Sequence, residues 1–125
     1  MNIRRACLDH AQRITEIKVA AYRDEKARFA PPPERKPKWF DHEWYLDNEE
    51  TKRLILEFHS YVIIVNEENI GCFWLHDVDA NTIMLEDFCI IPAFQGFGHG
   101  SLALRELEKL LPHLYFLSPA SPYTS

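Results

Sequence analysis

Toward the C-terminal end of the chain lies the heptapeptide Gln95-Gly96-Phe97-Gly98-His99-Gly100-Ser101. An apolar run, residues 88–92, precedes it, and leucines at helical spacing follow it over residues 102–111. This order predicts a strand, a glycine-rich loop and a helix. Glycines let a backbone approach a ligand closely, and a helix N-terminus presents N–H groups that lack partners within the helix. The stretch is therefore typical of a cradle for phosphate or pyrophosphate.

Two common nucleotide-binding motifs do not fit this loop. No Lys-Ser or Lys-Thr pair follows the last glycine, so the phosphate-binding loop of nucleoside triphosphatases is excluded. The spacing Gly96-x-Gly98-x-Gly100 is not that of the dinucleotide-binding fingerprint, and no strand–helix–strand unit surrounds it in the required order. A glycine-rich turn without a ligand remains the alternative.

A third motif fits the loop and the strand before it. Gln95-x-x-Gly98-x-Gly100, entered without a gap from Leu85–Pro92, resembles the signature of the acetyltransferases of the GNAT family. The resemblance implies the three-layer α/β/α acyl-CoA N-acyltransferase fold with a mixed, mostly antiparallel sheet, and acetyl-CoA as co-substrate. It implies that the strand backbone binds the pantetheine arm and that the loop binds the phosphates. The residues concerned are Phe88, Cys89 and Ile90 on the strand, and Gln95, Gly96, Phe97, Gly98, His99, Gly100 and Ser101 in the loop.

The acidic pair Glu86-Asp87 interrupts an otherwise apolar strand. Neighbours in a strand point to opposite faces, so one carboxylate is expected to point inward, where it needs a partner or a chemical role. The pair is similar to that of the polyamine and diamine acetyltransferases and of the glucosamine-phosphate acetyltransferases. That resemblance implies that both residues orient an amine, with Glu86 accepting its proton through water. The alternative is that one carboxylate lies at the sheet edge and the other pairs with a Lys or Arg.

Composition limits the class of protein. The chain has 125 residues, enough for one domain, and 46% of them are hydrophobic. Its net charge of −5 and the lack of a basic stripe argue against nucleic-acid binding. No apolar run is long enough for a bilayer, and no apolar signal segment follows the N-terminus. Three cysteines without C-x-x-C spacing predict reduced, mostly buried thiols (Cys7, Cys72, Cys89) and a cytoplasmic protein.

Hydrophobic periodicity predicts the other elements. On the first helix, Ile14, Ile17, Ala20 and Ala21 should face the sheet while Lys18 faces water. On the last helix, the leucines 102, 104, 107, 110 and 111 should face the sheet. The predicted order is a strand at 2–6, a helix capped by Asp9 and ending near 28, a helix at 49–59, strands at 61–65, 70–78 and 82–91, a helix at 98–111 and a strand at 113–117, with turns at 67–69 and 79–81.

The segment between the first two helices carries prolines and then aromatics. Residues 30–37 predict a stiff, exposed loop. The aromatic segment Trp39–Tyr45 is interpreted as half packed against the protein and half lining the acceptor pocket. His42 stands between Asp41 and Glu43, but adjacent residues rarely ligate one ion and no second histidine is suitably placed. No metal is therefore expected.

The domain is expected to span residues 1–117, with an irregular tail at 118–125. The family usually continues with an Asn, a helix bearing a Tyr that protonates the leaving thiolate, and a β-hairpin. Because this sequence ends at Ser125 without them, the fold is expected to be truncated at its C-terminus, and a homodimer could cover the exposed sheet edge. Tyr123 matches no motif, so it is given no role.

The resemblance implies an acetyl-CoA-dependent N-acetyltransferase that transfers acetyl to a primary amine of a small molecule. Direct attack in a ternary complex needs no covalent enzyme intermediate, only a base and a polarised thioester. No membrane or nucleic-acid partner is expected. Two alternatives stay open, namely a catalytically impaired CoA-binding or interaction module, and an acetyltransferase acting on protein N-termini or lysines.

Overall fold

The chain folds around one five-stranded sheet, and the structure, a computed structural model, describes residues 1–29, 32–35 and 46–117. All predicted helices and strands within these residues are present, with ends shifted by at most two or three positions. Their bounds are β1 Asn2–Arg5, α1 Ala11–Phe29, α2 Asn48–Glu57, β2 His59–Val65, β3 Glu68–Asp79, β4 Thr82–Ile90, α3 His99–Leu110 and β5 Tyr115–Leu117.

The sheet has the order β1-β2-β3-β4-β5. The first four strands are antiparallel to their neighbours, and β5 is parallel to β4 because a helix separates them. Helix α1 packs on one face through a cluster that includes Val62 and Cys72. Helix α3 packs on the other face through Ala103 and Leu107. This arrangement confirms the α/β acyl-CoA N-acyltransferase fold with three layers and a mixed, mostly antiparallel sheet.

Helix α1 buries a wider face than its periodicity predicts. Ile14, Ile17 and Ala21 are buried as expected. The prediction that Lys18 faces water is wrong, because its side chain is 2% exposed. Position 18 lies one turn after Ile14, on the side of α1 that meets α2, so its stem fills the seam between the two helices.

Helix α3 buries a narrower face than predicted. Ala103 and Leu107 are fully buried, and Leu104 and Leu111 are partly buried. The prediction is wrong for Leu102 and Leu110, which are exposed. Since a single helix packed on a sheet hides only the stripe around one contact line, leucines on either side of that stripe stay at the surface.

The predictions are wrong for one turn and for one helix cap. The turn between β2 and β3 consists of Asn66 and Glu67, both with positive φ, rather than residues 67–69. Such a two-residue turn matches the twist of the strands, and Asn tolerates the left-handed region. Asp9 does not cap α1, because it lies within a 3-10 turn at Leu8–His10 whose N-cap is Cys7.

Several predictions fall on residues outside the described ranges. These are most of the proline-rich loop at 30–37, the aromatic cluster at 39–45 with His42 and its neighbours, and the tail at 118–125 with Tyr123. Within the loop only Pro32–Arg35 is described, and it contains a 3-10 turn at Pro33–Arg35. None of the helices in the described part combines the length and apolar character needed to cross a bilayer.

Candidate active site

The acidic pair lies at a β-bulge in β4. Trp74 on β3 pairs with Glu86 and Cys72 pairs with Cys89, so Asp87 and Phe88 together oppose one residue of β3. Asp87 has φ of +49°, which is the left-handed region. The bulge breaks the alternation of side chains, and both carboxylates lie on the face of the sheet covered by α1 and α2. The prediction that they point to opposite faces is therefore wrong.

Both oxygens of Asp87 accept hydrogen bonds from neighbouring elements. The hydroxyl of Tyr22 on α1 donates to Oδ1 at 2.7 Å, and Nε1–H of Trp74 on β3 donates to Oδ2 at 2.8 Å. These are charge-assisted bonds to a carboxylate that burial would otherwise penalise. Asp87 thus joins α1, β3 and β4 and holds the bulge in one conformation.

Tyr22 and Cys89 share the environment of this carboxylate. Burial raises the pKa of Tyr22 far above the usual range for a phenol, and the negative charge of Asp87 acts in the same direction. The pKa of the Cys89 thiol is also raised, first by a hydrogen bond with Cys72 and then by burial. Both groups therefore remain protonated donors at neutral pH. Cys72 and Cys89 are buried, as predicted, whereas Cys7 is exposed.

Glu86 contacts a histidine that the sequence analysis did not single out. Oε1 of Glu86 lies 3.3 Å from Nε2 of His76 on β3. Both side chains are partly accessible, at 27% and 33% exposure. The ring of His76 neighbours the rings of Trp74 at 5.5 Å and Phe58 at 6.0 Å between centroids. A histidine two positions after Trp74 on the same strand face was the signal available in the sequence.

A small cavity lies beside Asp87. Its volume is about 10 Å³, roughly the size that one water molecule needs. Residues from α1, α2 and the sheet line it, among them Lys18, Thr51, Ser60 and Trp74. The polar side chains around the acidic pair thus form a continuous cluster between the helices and the sheet.

The glycine loop has the predicted geometry at the start of α3. Gly96 and Gly98 have φ of +83° and +82°, and a Cβ at either position would have nothing within 4 Å. Gly98 is the N-cap of α3, so the amides of His99, Gly100 and Ser101 have no partner within the helix. The loop therefore presents backbone donors beside two glycines whose Cβ positions face open space, which is an arrangement typical of anion-binding sites.

Gln95 and His99 have specific local contacts in the loop. The side-chain amide of Gln95 donates to the carbonyl of Ile90 at 2.8 Å, and its own N–H donates to Pro92 at 3.2 Å. Gln95 therefore ties the loop to the end of β4. His99 lies near the rings of Phe94 and Phe97, and its Nδ1 is buried without a partner among the described residues. Phe97 is 70% exposed.

Between the bulge and the loop, β4 has a strand partner on one side only within the described part of the chain. Cys89 and Ile90 pair with β3, whereas β5 pairs only with Thr82, Ile83 and Met84. The sheet thus opens beside Phe88–Ile90, where the backbone can accept an extended ligand. Helix α3 lies against this segment, since a Cβ at Gly100 would lie 3.4 Å from the Phe88 ring.

One segment therefore carries the acidic pair, the open strand edge and the loop in that order. An extended ligand bound along the edge would place one end at the loop amides and the other near Glu86 and His76. Among residues 1–29, 32–35 and 46–117, no group of three or more His, Cys, Asp or Glu side chains is placed to hold a metal ion.

Comparison with known proteins covers most of the chain. Residues 12–119 match the model of the acetyltransferase (GNAT) family. No curated protein sequence matches significantly.

Solved structures share the fold at low sequence identity. The PaiA N-acetyltransferase of Thermoplasma acidophilum, in complex with coenzyme A, superposes with a TM-score of 0.68 and 19% identity over 88% of this chain and 70% of that one. A Mycobacterium tuberculosis protein in complex with CoA superposes with a TM-score of 0.58 and 16% identity, over 93% of this chain and 62% of that one. An aminoglycoside acetyltransferase from an uncultured soil metagenomic sample superposes with a TM-score of 0.58 and 12% identity, over 95% of this chain and 78% of that one.

Proposed function

Because the chain belongs to the acetyltransferase (GNAT) family, we propose that it transfers the acetyl group of acetyl-CoA to a primary amine of a small molecule. The observation that carries the proposal is the single segment from Glu86 to Ser101. It joins an acidic pair, a strand edge that has no second partner among the described residues, and a helix N-terminus with available amides. The loop and the strand edge suit the phosphates and the extended arm of acetyl-CoA, and the acidic pair suits a cationic acceptor.

Acetyl-CoA is proposed to bind along β4 and α3. The backbone of Phe88, Cys89 and Ile90 lies at the open side of the sheet and would pair with the amide groups of the pantetheine arm. The amides from Gly96 to Ser101 would donate to the pyrophosphate, helped by the positive end of the α3 dipole. Gln95 holds the loop in place through Ile90 rather than through a ligand contact.

The amine is proposed to bind beside the acidic pair. An alkyl amine is cationic at neutral pH, and Glu86 with Asp87 supplies negative charge on the face of the sheet that carries Trp74 and His76. Holding the amine against the thioester carbonyl supplies much of the rate acceleration by orientation. Attack forms the N–C bond, the C–S bond breaks, and the sulfur leaves as CoA thiolate.

Two measurements test the proposal. Isothermal titration with acetyl-CoA should show binding, and Ser101→Trp should abolish it because the ring fills the space in front of the loop amides. Leu110→Trp is the matched control, since it adds the same ring at the far, exposed end of α3. Thiol release with a panel of small amines should then show turnover.

The outcomes separate the candidate functions. Binding without turnover by any amine would favour a non-catalytic CoA-binding module. Turnover with peptide N-termini or lysine peptides alone would favour a protein acetyltransferase. No binding by the unchanged protein would contradict the proposed site itself.

A further inference from the structure

We propose that His76, oriented by Glu86, is the base that takes the proton from the acceptor amine. The proposal rests on the proposed function and deepens it. The family resemblance implies Glu86 as the proton acceptor, acting through water. In the structure an imidazole of β3 is hydrogen-bonded to that carboxylate, so the two side chains form one unit.

Asp87 is the less suitable base of the acidic pair. Each of its oxygens already accepts a short hydrogen bond, one from Tyr22 and one from Trp74. Because burial keeps the Tyr22 phenol protonated, this donor stays in place at neutral pH. Both oxygens of Asp87 are therefore already occupied by donors from the protein.

Glu86 and His76 are both partly exposed, at 27% and 33% of their side chains, and have different roles in the proposed step. A carboxylate is a weak base at neutral pH, whereas a neutral imidazole accepts protons readily there. A carboxylate beside an imidazole fixes its tautomer and stabilises the imidazolium that forms. With Nε2–H donating to Oε1 of Glu86, the Nδ1 atom of His76 becomes the acceptor, and no other described side chain hydrogen-bonds to it.

The surroundings hold the ring in this orientation. The Trp74 ring lies 5.5 Å from that of His76, and Nε1–H of Trp74 is itself anchored on Asp87. Phe58, which follows α2, lies 4.6 Å from Trp74 and 6.0 Å from His76 between ring centroids. The two aromatic rings restrict the imidazole and provide an apolar wall for the carbon chain of an amine.

The proton balance of the step is complete. Nδ1 of His76 takes one proton from the alkylammonium, which frees the nitrogen lone pair to attack the thioester carbonyl carbon. As the C–S bond breaks, its electron pair leaves on the sulfur of CoA. The second proton lost by the amine ends on that thiolate, and His76 returns the first proton to water. The products are the N-acetylated amine, CoA thiol and one proton.

The test compares His76→Gln, Glu86→Gln and the control His113→Gln, which changes an exposed histidine after α3. Acetyl-CoA affinity is measured by calorimetry, and turnover is measured by thiol release with spermidine as the probe amine. His76→Gln should lower kcat by about 10²–10⁴-fold while leaving the Kd of acetyl-CoA within about twofold. Glu86→Gln should lower kcat by a smaller factor, about 10-fold, and His113→Gln should change neither value.

Rescue separates proton transfer from structure. In His76→Ala, added imidazole should restore turnover about 10-fold or more, because it supplies the missing base. Imidazole should have no such effect on His76→Gln, whose side chain fills the space. A kcat for His76→Gln within about threefold of the unchanged protein would overturn the proposal, as would a folded His76→Ala that imidazole does not rescue.

A spectroscopic measurement distinguishes this proposal from the proposed function. Nitrogen-15 spectra of the histidines should show His76 as the Nε2–H tautomer, and Glu86→Gln should shift its signals. If the tautomer is Nδ1–H, the His76 role is overturned whatever the turnover. If the tautomer is as expected but no amine is acetylated, the acetyltransferase function fails, and the proton-transfer role fails with it.

Discussion

At the scale of single residues, Asp87 organises the polar cluster between the helices and the sheet. Its carboxylate receives one donor from α1 and one from β3, and its own backbone has a conformation that non-glycine residues rarely adopt. The left-handed backbone costs about 1–3 kcal/mol, so surrounding contacts must hold it. The two hydrogen bonds are suited to do so, because bonds to charged groups are among the stronger ones in proteins.

We expect Tyr22→Phe to lower the free energy of unfolding by about 1–3 kcal/mol. The substitution removes the hydroxyl that donates to Oδ1 of Asp87 and leaves that oxygen without this donor in a shielded site. Urea denaturation measures the change. Tyr115→Phe is the matched control, since Tyr115 is 74% exposed, and it should shift the free energy by less than about 0.5 kcal/mol. Equal effects of the two variants would contradict the role of the Tyr22 bond.

The raised pKa of Tyr22 also predicts how stability depends on pH. The unfolded chain releases the phenol proton above about pH 10, whereas the folded chain retains it. The protonated phenol therefore gives its full stabilisation below about pH 10. Above that pH the free energy of unfolding falls by up to about 1.4 kcal/mol per pH unit. The thiol of Cys89, whose pKa is also raised, acts with the same sign. In Tyr22→Phe the free energy of unfolding should fall less steeply with pH between pH 9 and 11, by the equivalent of about one proton released on unfolding. Denaturation curves recorded across this range measure the slope. An unchanged slope would contradict the prediction.

At the scale of elements, β3 and β4 leave no room for a side chain at Gly71. A Cβ at this position would lie 2.7 Å from the carbonyl oxygen of Cys89 and 2.9 Å from Cδ1 of Ile63. The first of these neighbours is backbone, which cannot move without disturbing β4 near the bulge. The small side chain of glycine thus sets how closely the two strands approach.

Gly71→Ala should therefore lower the free energy of unfolding by about 1–3 kcal/mol and weaken acetyl-CoA binding, because β4 must shift. Thermal denaturation and calorimetric titration measure the two effects. Gly100→Ala is the control for the stability measurement only, because Gly100 belongs to the proposed acetyl-CoA loop. Its Cβ would meet only the side chains of Phe88 and Ile90 at 3.4 Å or more. Alanine is also favoured over glycine within a helix. A neutral Gly71→Ala would show that β4 adapts more easily than the geometry indicates.

The elements could be read from the sequence, but the geometry of the site could not. Periodicity and turn residues predict all five strands and three helices, because each signal is local. The bulge is not local, since it depends on Asp87 finding Tyr22 and Trp74 on other elements. Without the bulge, the strand pattern predicts opposite faces for Glu86 and Asp87. The contact between Glu86 and His76 depends instead on the register of β3 with β4, which is not local either. The prediction that Lys18 faces water is wrong for a similar reason, because the burial of its side chain depends on α2 lying alongside α1.

At the scale of the whole molecule, a bound co-substrate would connect parts of the fold that otherwise touch little. The proposed site runs from β4 to the start of α3, and α3 is otherwise held mainly by Ala103, Leu107 and their partly buried neighbours. A ligand that binds only the folded chain stabilises it according to its concentration relative to Kd.

Acetyl-CoA at 100 times its Kd should therefore raise the free energy of unfolding by about 2.7 kcal/mol. For a chain of this size the melting temperature should rise by roughly 5–15 °C. Differential scanning calorimetry measures the shift. Ser101→Trp should melt at its own temperature regardless of acetyl-CoA, while Leu110→Trp should respond like the unchanged protein. A shift of equal size in Ser101→Trp would place the ligand elsewhere.

The bulge also changes which residues of β4 face α3. Before it, the odd-numbered Ile83 and Leu85 pack toward α3, and after it the even-numbered Phe88 and Ile90 do so. Deleting Asp87 would restore a regular alternation, because Phe88 alone would then oppose Phe73 while Cys89 and Ile90 kept their partners on β3. The start of the loop and α3 would therefore keep their place relative to β3. What the deletion would remove is the carboxylate that receives Tyr22 and Trp74, so a strand one residue shorter is expected to cost stability rather than to move the glycines.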